Sequence, residues 1–291
     1  MEISGHTRPF AVIGHPIGHT LSPVMHNASM REIGYDGIYL ALDVHPDDLL
    51  DVIPALAKMG FGGVNLTVPH KEIAFHGLEH LDESARLFGA ANTVAFTEDG
   101  PVGYNTDGYG FLCALEEAFG RKVEGDAVFI LGCGGAGRAV ALQCAVAGAR
   151  KLVLSDIDAP RVRRLREEIA RVAPEVETAE ALCDCEKPAA ARACDLVVQA
   201  SPVGMNADDP SLLPPEAFRE GQRVFDLIYM YPETAFLSTA RRSGARIANG
   251  LGMLLHQGAR AFEIWTGEKP SVSAMRRALE KAVYGTENGE G

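Results

Sequence analysis

The stretch Ala127-Val-Phe-Ile-Leu131-Gly-Cys-Gly-Gly-Ala-Gly137 decides how this chain is read. Five apolar residues in a row predict a short strand buried on both faces, as in a parallel sheet. The residues from Arg138 to Ala147 carry neither proline nor glycine and read as a helix. Between strand and helix, Gly132, Gly134 and Gly137 fit G-x-G-x-x-G. In that setting each glycine has a purpose. The first permits the tight turn, the second lets backbone approach a pyrophosphate, and the third lets helix and strand pack closely. The helix N-terminus adds unpaired amides and the positive end of a dipole. Gly132, Gly134, Gly135, Ala136 and Gly137 are therefore expected to bind a dinucleotide.

Downstream, Lys151-Leu-Val-Leu-Ser155 is the next strand, and Asp156 ends it. An acid about 20 residues beyond the glycines accepts hydrogen bonds from the adenosine ribose. It would repel the 2′-phosphate of NADP, so Asp156 predicts NAD over NADP. Asp158, ahead of Ala159-Pro160, reads as an N-cap, and Arg161, Arg163 and Arg164 as a solvated helix face that could also meet a phosphate. Asp195–Gln199 and Arg223–Ile228 are further strands. Upstream, strands are expected at Phe10–Ile13, Gly37–Asp43 and Gly63–Thr67. A hairpin turns at Glu98-Asp99-Gly100, and Ser22-Pro23 opens a helix with Ser22 as its cap. Helices close the chain from Met253 to Trp265 and from Val272, ahead of a polar tail at 286–291 expected to fray. Strands alternating with helices throughout predict an α/β protein with parallel sheets.

At 291 residues there is room for two domains. Hydrophobic residues make up 47% and charged residues 23%, which excludes the disordered and collagen-like classes. A formal charge of -12 argues against nucleic acid as a partner. There is no apolar run of about 18 residues for a membrane span, and no basic-then-apolar leader, so a cytoplasmic location is expected. Cys183 and Cys185 are too close together for a zinc site, and the six cysteines read as free thiols. His15 and His19 are separated by Pro16 and Gly18, which excludes a shared helical face, and no metal is expected.

Seven segments together resemble the shikimate dehydrogenase family. They are Gly14-His-Pro-Ile-Gly-His-Thr-Leu-Ser-Pro-Val-Met-His-Asn27, Asn65-Leu-Thr-Val-Pro-His-Lys71, Gly89-Ala-Ala-Asn-Thr93, Gly103-Tyr-Asn-Thr-Asp-Gly108, the glycine cluster, Ser201-Pro-Val-Gly-Met205 and Asn249-Gly-Leu-Gly-Met-Leu-Leu-His-Gln257. They keep the family's order from near the start of the chain to near its end. The resemblance implies an N-terminal α/β substrate domain (1–107), a Rossmann-type cofactor domain (108–251) with a cleft between them, and helices (252–285) returning to the first. It implies reduction of 3-dehydroshikimate to shikimate with NADP or NAD, by a monomer or homodimer.

Lys71 matches the family's catalytic lysine and Asp107 its partner. Reducing a ketone leaves an alkoxide that must gain a proton, and a positioned lysine can give it. Its unperturbed pKa of about 10.4 falls on burial and rises beside a carboxylate. Asn65, Thr67, Asn92 and Gln257 match the family's substrate hydrogen-bonders; amides both donate and accept, which suits a polyhydroxy ring. Ser22 and Tyr229 resemble the groups that take the substrate carboxylate. Ser201, Val203, Gly250 and Met253 fall in the segments implied to meet the cofactor. Thr20 stands where the family usually has serine, and its methyl group narrows the carboxylate pocket. Ser155-Asp156-Ile157 stands where NADP-using members carry Asn-Arg-Thr. These two departures leave an NAD-linked quinate/shikimate dehydrogenase as the alternative. A non-catalytic nucleotide-binding regulator would be expected to lack Lys71 or Asp107.

Overall fold

The computed structural model describes residues 3–285, so the tail at 286–291 lies outside the described residues. The chain divides into two compact units, one of residues up to Gly110 together with those from Leu255 on, the other Phe111–Leu254. Each has its own six-stranded sheet.

The first unit contains β1 (Arg8–Gly14), β2 (Gly37–Asp43), β3 (Gly63–Leu66), β4 (His80–Leu81), β5 (Thr93–Thr97) and β6 (Gly100–Tyr104), in the order β2-β1-β3-β5-β6-β4. β1 runs parallel to β2 and β3, whereas β5 is antiparallel to both β3 and β6. β1 shows why both faces are covered. Ala11 and Ile13 join one apolar cluster with Leu49, Ile53, Val64 and Leu66, while Phe10 and Val12 join another with Met30, Phe262 and Trp265. Side chains alternate across a strand, so a run of four apolar residues feeds two cores. Each large side chain so buried contributes about 1.5–3 kcal/mol. The helix Leu251–Thr266 supplies Ala261, Phe262 and Trp265 to the second of those clusters, and the last helix, Val272–Tyr284, packs on the helix Ser22–Ile33. Trp265 stacks on Phe10 and donates its indole N–H to Val94 O at 3.0 Å, and the Ser271 N–H donates to Ser29 Oγ.

The second unit contains β7 (Ala127–Leu131), β8 (Lys151–Ser155), β9 (Glu177–Glu180), β10 (Leu196–Gln199), β11 (Arg223–Asp226) and β12 (Arg246–Asn249), ordered β12-β11-β10-β7-β8-β9. Every pairing is parallel. Chain order reverses between β7 and β10, the switch point at which such sheets bind ligands beyond their carboxyl ends.

Three local expectations need correction. Ser22 does not cap its helix: the cap position of Ser22–Ile33 is Leu21, with no side-chain cap bond. Proline at the start of the helix removes one amide that would otherwise seek a partner. Cys183 and Cys185 are not free thiols but form a disulfide. The strand expected to reach Thr67 ends at Leu66, where Thr67 begins a turn closed by the His70 N–H to Thr67 O. Asp158 does cap the helix Ala159–Val172, accepting from the Arg161 N–H. Among the described residues, no helix is long and apolar enough to cross a membrane.

Candidate active site

Strand register gathers the polar residues of the first unit at one end of its sheet. Asn65 stands opposite Thr93, and Thr93 opposite Tyr104. Because β5 is antiparallel to its neighbours, its start lies beside the ends of β3 and β6. Asn92 precedes β5, Thr106 and Asp107 follow β6, and Lys71 lies in the first turn of the helix His70–Gly77 after β3.

Lys71 Nζ donates to Asp107 Oδ2 at 2.7 Å, with the two side chains 30% and 17% exposed. Asn92 Nδ2 donates to the other oxygen, Asp107 Oδ1, at 2.9 Å. Asn92 Oδ1 accepts from the Thr106 N–H and the Thr93 hydroxyl, so both ends of the amide are fixed. Gln257 Oε1 closes the group, 3.4 Å from both Asn92 Nδ2 and Thr106 Oγ1. Lys71 is thus a partly exposed ammonium on a carboxylate whose second oxygen is held by a buried amide. Such an arrangement can give and take a proton while its lysine keeps its position.

Asn65 is linked differently. It donates through Nδ2 to Thr93 Oγ1 and Asn92 O, and accepts the Tyr39 hydroxyl at 2.6 Å. Tyr39 also hydrogen-bonds Ser22, and burial raises its phenol well above the usual tyrosine value. Its ring stacks on His26 with centroids 4.2 Å apart. Tyr39 therefore joins Ser22 to Asn65, a role the sequence reading missed; the signal available was only an aromatic in an apolar strand. The Ser22 N–H donates to Thr20 Oγ1 at 3.3 Å, which puts these two hydroxyl residues together. Thr67 is half-buried and backs onto Gly14, where an added Cβ would lie 2.6 Å from the Thr67 methyl carbon.

In the second unit the glycine loop has the geometry its spacing demands. Gly132 adopts φ +99, which favours glycine, and a Cβ there would lie 2.7 Å from Ser201 N. A Cβ on Gly137 would lie 1.9 Å from Gly132 O, so helix and turn touch backbone to backbone. At Gly134 and Gly135 a Cβ would meet nothing within 4 Å, leaving open space above the N-terminus of the helix Gly135–Val146. These features fit a dinucleotide pyrophosphate. Ser201 and Val203 are held beside this loop by buried Gln199: its Oε1 accepts from the Ser201 N–H at 2.6 Å, and its Nε2 donates to Val203 O at 2.7 Å. Gln199, too, went unrecognised in the sequence. Gly250 and Met253 are not brought to the loop; they follow β12, with β11 and β10 intervening.

Asp156 lies directly against the glycine loop. Its side chain is 6% exposed and turned onto the glycine loop: Oδ2 accepts from the Cys133 N–H at 2.6 Å and Oδ1 from the Asp158 N–H at 2.9 Å. Arg161 Nη1 lies 3.6 Å from Oδ2. Burial pushes this carboxyl up, but the Asp158 and Cys133 amides and the Arg161 guanidinium more than offset it, holding it below the usual range. Ile157, fully exposed, follows it. Burial and the Asp156 charge together push the Cys133 thiol up to about 12, so the cysteine of the loop is not a thiolate at neutral pH. Tyr229 lies in the second unit on the segment after β11, its phenol raised by burial. Among the described residues, no three His, Cys, Asp or Glu side chains are grouped to hold a metal.

The family model described as the shikimate dehydrogenase substrate binding domain matches residues 12–94, and that of the shikimate 5′-dehydrogenase C-terminal domain matches 250–280. A protein of Moorella thermoacetica named shikimate dehydrogenase (NADP(+)) is 42% identical over 290 residues, 99% of this chain and 98% of its own length. The chain belongs to the shikimate dehydrogenase family. Among solved structures of the family, the enzyme from Listeria monocytogenes in complex with shikimate and NAD superposes with a TM-score of 0.90. It is 32% identical, with 96% of this chain and 98% of that one covered. That from Thermus thermophilus in complex with NADP(H) and shikimate gives 0.82, at 38% identity over 94% and 99%.

Proposed function

We propose that this chain catalyses the reversible reduction of 3-dehydroshikimate to shikimate. The observation that carries the reading is the Lys71–Asp107 pair at 2.7 Å, with Asn92 on the second carboxylate oxygen. A nicotinamide coenzyme held on the glycine loop would supply the hydride. Lys71 would give a proton from Nζ to the oxygen as the ketone becomes an alcohol, and would take the hydroxyl proton in the reverse direction. Asp107 would hold the ammonium in place and stabilise its charge, while Asn92 prevents the carboxylate from rotating away. Asn65, Thr67, Asn92 and Gln257 would hydrogen-bond the ring hydroxyls, and Thr20, Ser22 and Tyr229 the substrate carboxylate. Neutral hydroxyls bind an anion without a salt bridge, which leaves Lys71 available for proton transfer.

NADP is the coenzyme the observations favour. The Moorella relative carries it in its name and the Thermus structure holds NADP(H), although the Listeria structure holds NAD. The sequence-based expectation of NAD rested on the Asp156 carboxylate repelling a 2′-phosphate. Both oxygens are engaged by backbone amides, and Arg161 stands 3.6 Å away, able to turn toward a 2′-phosphate. Steady-state oxidation of shikimate and of quinate, each with NADP and with NAD, tests all of this. The reading requires shikimate with NADP to have the highest kcat/KM of the four. Quinate with NAD leading would favour the alternative, and no turnover with any pair would favour a non-catalytic protein.

A further inference from the structure

Asp226 ends β11 with its side chain buried, and nothing in the reaction above uses it. A buried carboxylate is costly; here burial raises the group to about 6, against an ordinary value of 3.8. What its two oxygens do is specific. Oδ1 accepts from the Ile228 N–H at 3.0 Å, and Oδ2 accepts from the Thr234 hydroxyl at 2.6 Å. One side chain thus closes both ends of the segment 227–234, which carries Tyr229. The Thr234 oxygen in turn accepts from the Leu237 N–H at 3.2 Å, capping the helix Ala235–Arg242. In the ionised form both carboxylate oxygens are acceptors, Oδ1 from the Ile228 N–H and Oδ2 from the Thr234 hydroxyl.

The rest of the segment is tied as carefully. Asn249 Nδ2 donates to Tyr231 O and Pro232 O, and the Gly250 N–H donates to Ile228 O. A Cβ on Gly250 would stand 2.0 Å from Leu227 O, so the chain after β12 touches this segment backbone to backbone.

We infer that Asp226 is a positioning residue for substrate recognition: by holding Ile228 and Thr234 it fixes the segment on which Tyr229 is presented to the substrate carboxylate. The inference rests on the role assigned to Tyr229 above. An amide replaces this carboxylate imperfectly, because asparagine has one acceptor oxygen in place of two and carries no charge to strengthen either tie. Asp226→Asn keeps size and shape and removes a single tie.

The experiment is a double-mutant cycle between Asp226→Asn and Tyr229→Phe, read as separate kcat and KM values for shikimate and coenzyme. Asp226→Asn should raise the KM for shikimate about tenfold while kcat changes by less than about threefold, the size expected from one lost charge-assisted hydrogen bond. The coenzyme KM should hold. The KM effect should vanish in the Tyr229→Phe background, and also when shikimate methyl ester replaces shikimate, since the ester removes the anion that Tyr229 meets. Thr234→Ala, which loses the other tie, should shift KM in the same direction and serves if Asp226→Asn does not fold. A folded Asp226→Asn protein with unchanged KM for shikimate, or a tenfold rise that persists in the Tyr229→Phe background, would overturn the inference. If Tyr229→Phe alone leaves the KM unchanged, the fault lies in the assignment of Tyr229 and the inference falls with it.

Discussion

At the carboxyl edge of the all-parallel sheet, the groups available to a ligand are mainly backbone: the turn at Gly132, the amides opening Gly135–Val146, and the Ser201 segment pressed against Gly132. At the corresponding end of the mixed sheet they are side chains: Lys71, Asp107, Asn92, Asn65 and Gln257, locked to one another by hydrogen bonds. A coenzyme pyrophosphate presents the same charge to every such enzyme, and a rigid run of amides suffices for it. A substrate ring must be distinguished from similar rings and protonated at one oxygen, which calls for groups that can be exchanged singly. The two regions should therefore fail in different ways.

The largest effect is expected in the mixed-sheet unit. Lys71→Ala should lower turnover by about two to four powers of ten, the usual worth of a positioned acid/base, with little change in shikimate affinity. Steady-state kinetics with a shikimate binding isotherm would check both. The parallel-sheet unit should break by shape. Gly137→Ala puts a Cβ 1.9 Å from Gly132 O, and the loop must move. A misplacement of this kind should weaken coenzyme binding by about a hundredfold. Shikimate binding should persist; if it were lost in parallel, the contrast between the regions would be false.

Smaller effects sharpen the comparison. Arg161→Ala should reduce kcat/KM for NADP by about tenfold and leave NAD nearly unchanged, as expected for one charge-assisted contact to a phosphate. Equal losses with both coenzymes would remove Arg161 from phosphate recognition. Thr20→Ser should leave shikimate oxidation within about tenfold, since the hydroxyl stays and one methyl's packing is lost. For Asp226, linkage fixes a sign. Its carboxyl sits near 6 when folded and near 3.8 in its ordinary state, so the folded form binds the proton more tightly. Its contribution to stability is then greatest below about pH 4, is lost as pH rises toward 6, and is constant above that. Denaturant titrations of the unaltered protein and Asp226→Asn should show the stability difference moving in favour of the variant between about pH 4 and pH 7.

How much of this was legible beforehand follows from the kind of interaction. The glycine loop and its strand could be read because turn, close approach and packing each demand glycine at a fixed spacing, and φ +99 at Gly132 meets that demand. The Lys71–Asp107 pair was found through motifs; its 36-residue separation has no periodicity to reveal it. Tyr39 and Gln199 were missed because their importance lies in tertiary hydrogen bonds, and as residues within strands they look like any others. Asp156 was identified by its place just after β8, but only packing shows that its oxygens also accept from two backbone amides and stand beside Arg161. The short segments Glu177–Glu180 and Arg246–Asn249, polar and at sheet edges, carried too little apolar pattern to be seen as strands.

The central claim is that Lys71 moves the proton. Its most direct test is to measure shikimate oxidation by Lys71→Ala with and without an added small primary amine, alongside shikimate binding. The account predicts near-normal binding, turnover reduced by about two powers of ten or more, and partial recovery as the amine is raised. Near-normal turnover in Lys71→Ala without amine would contradict it.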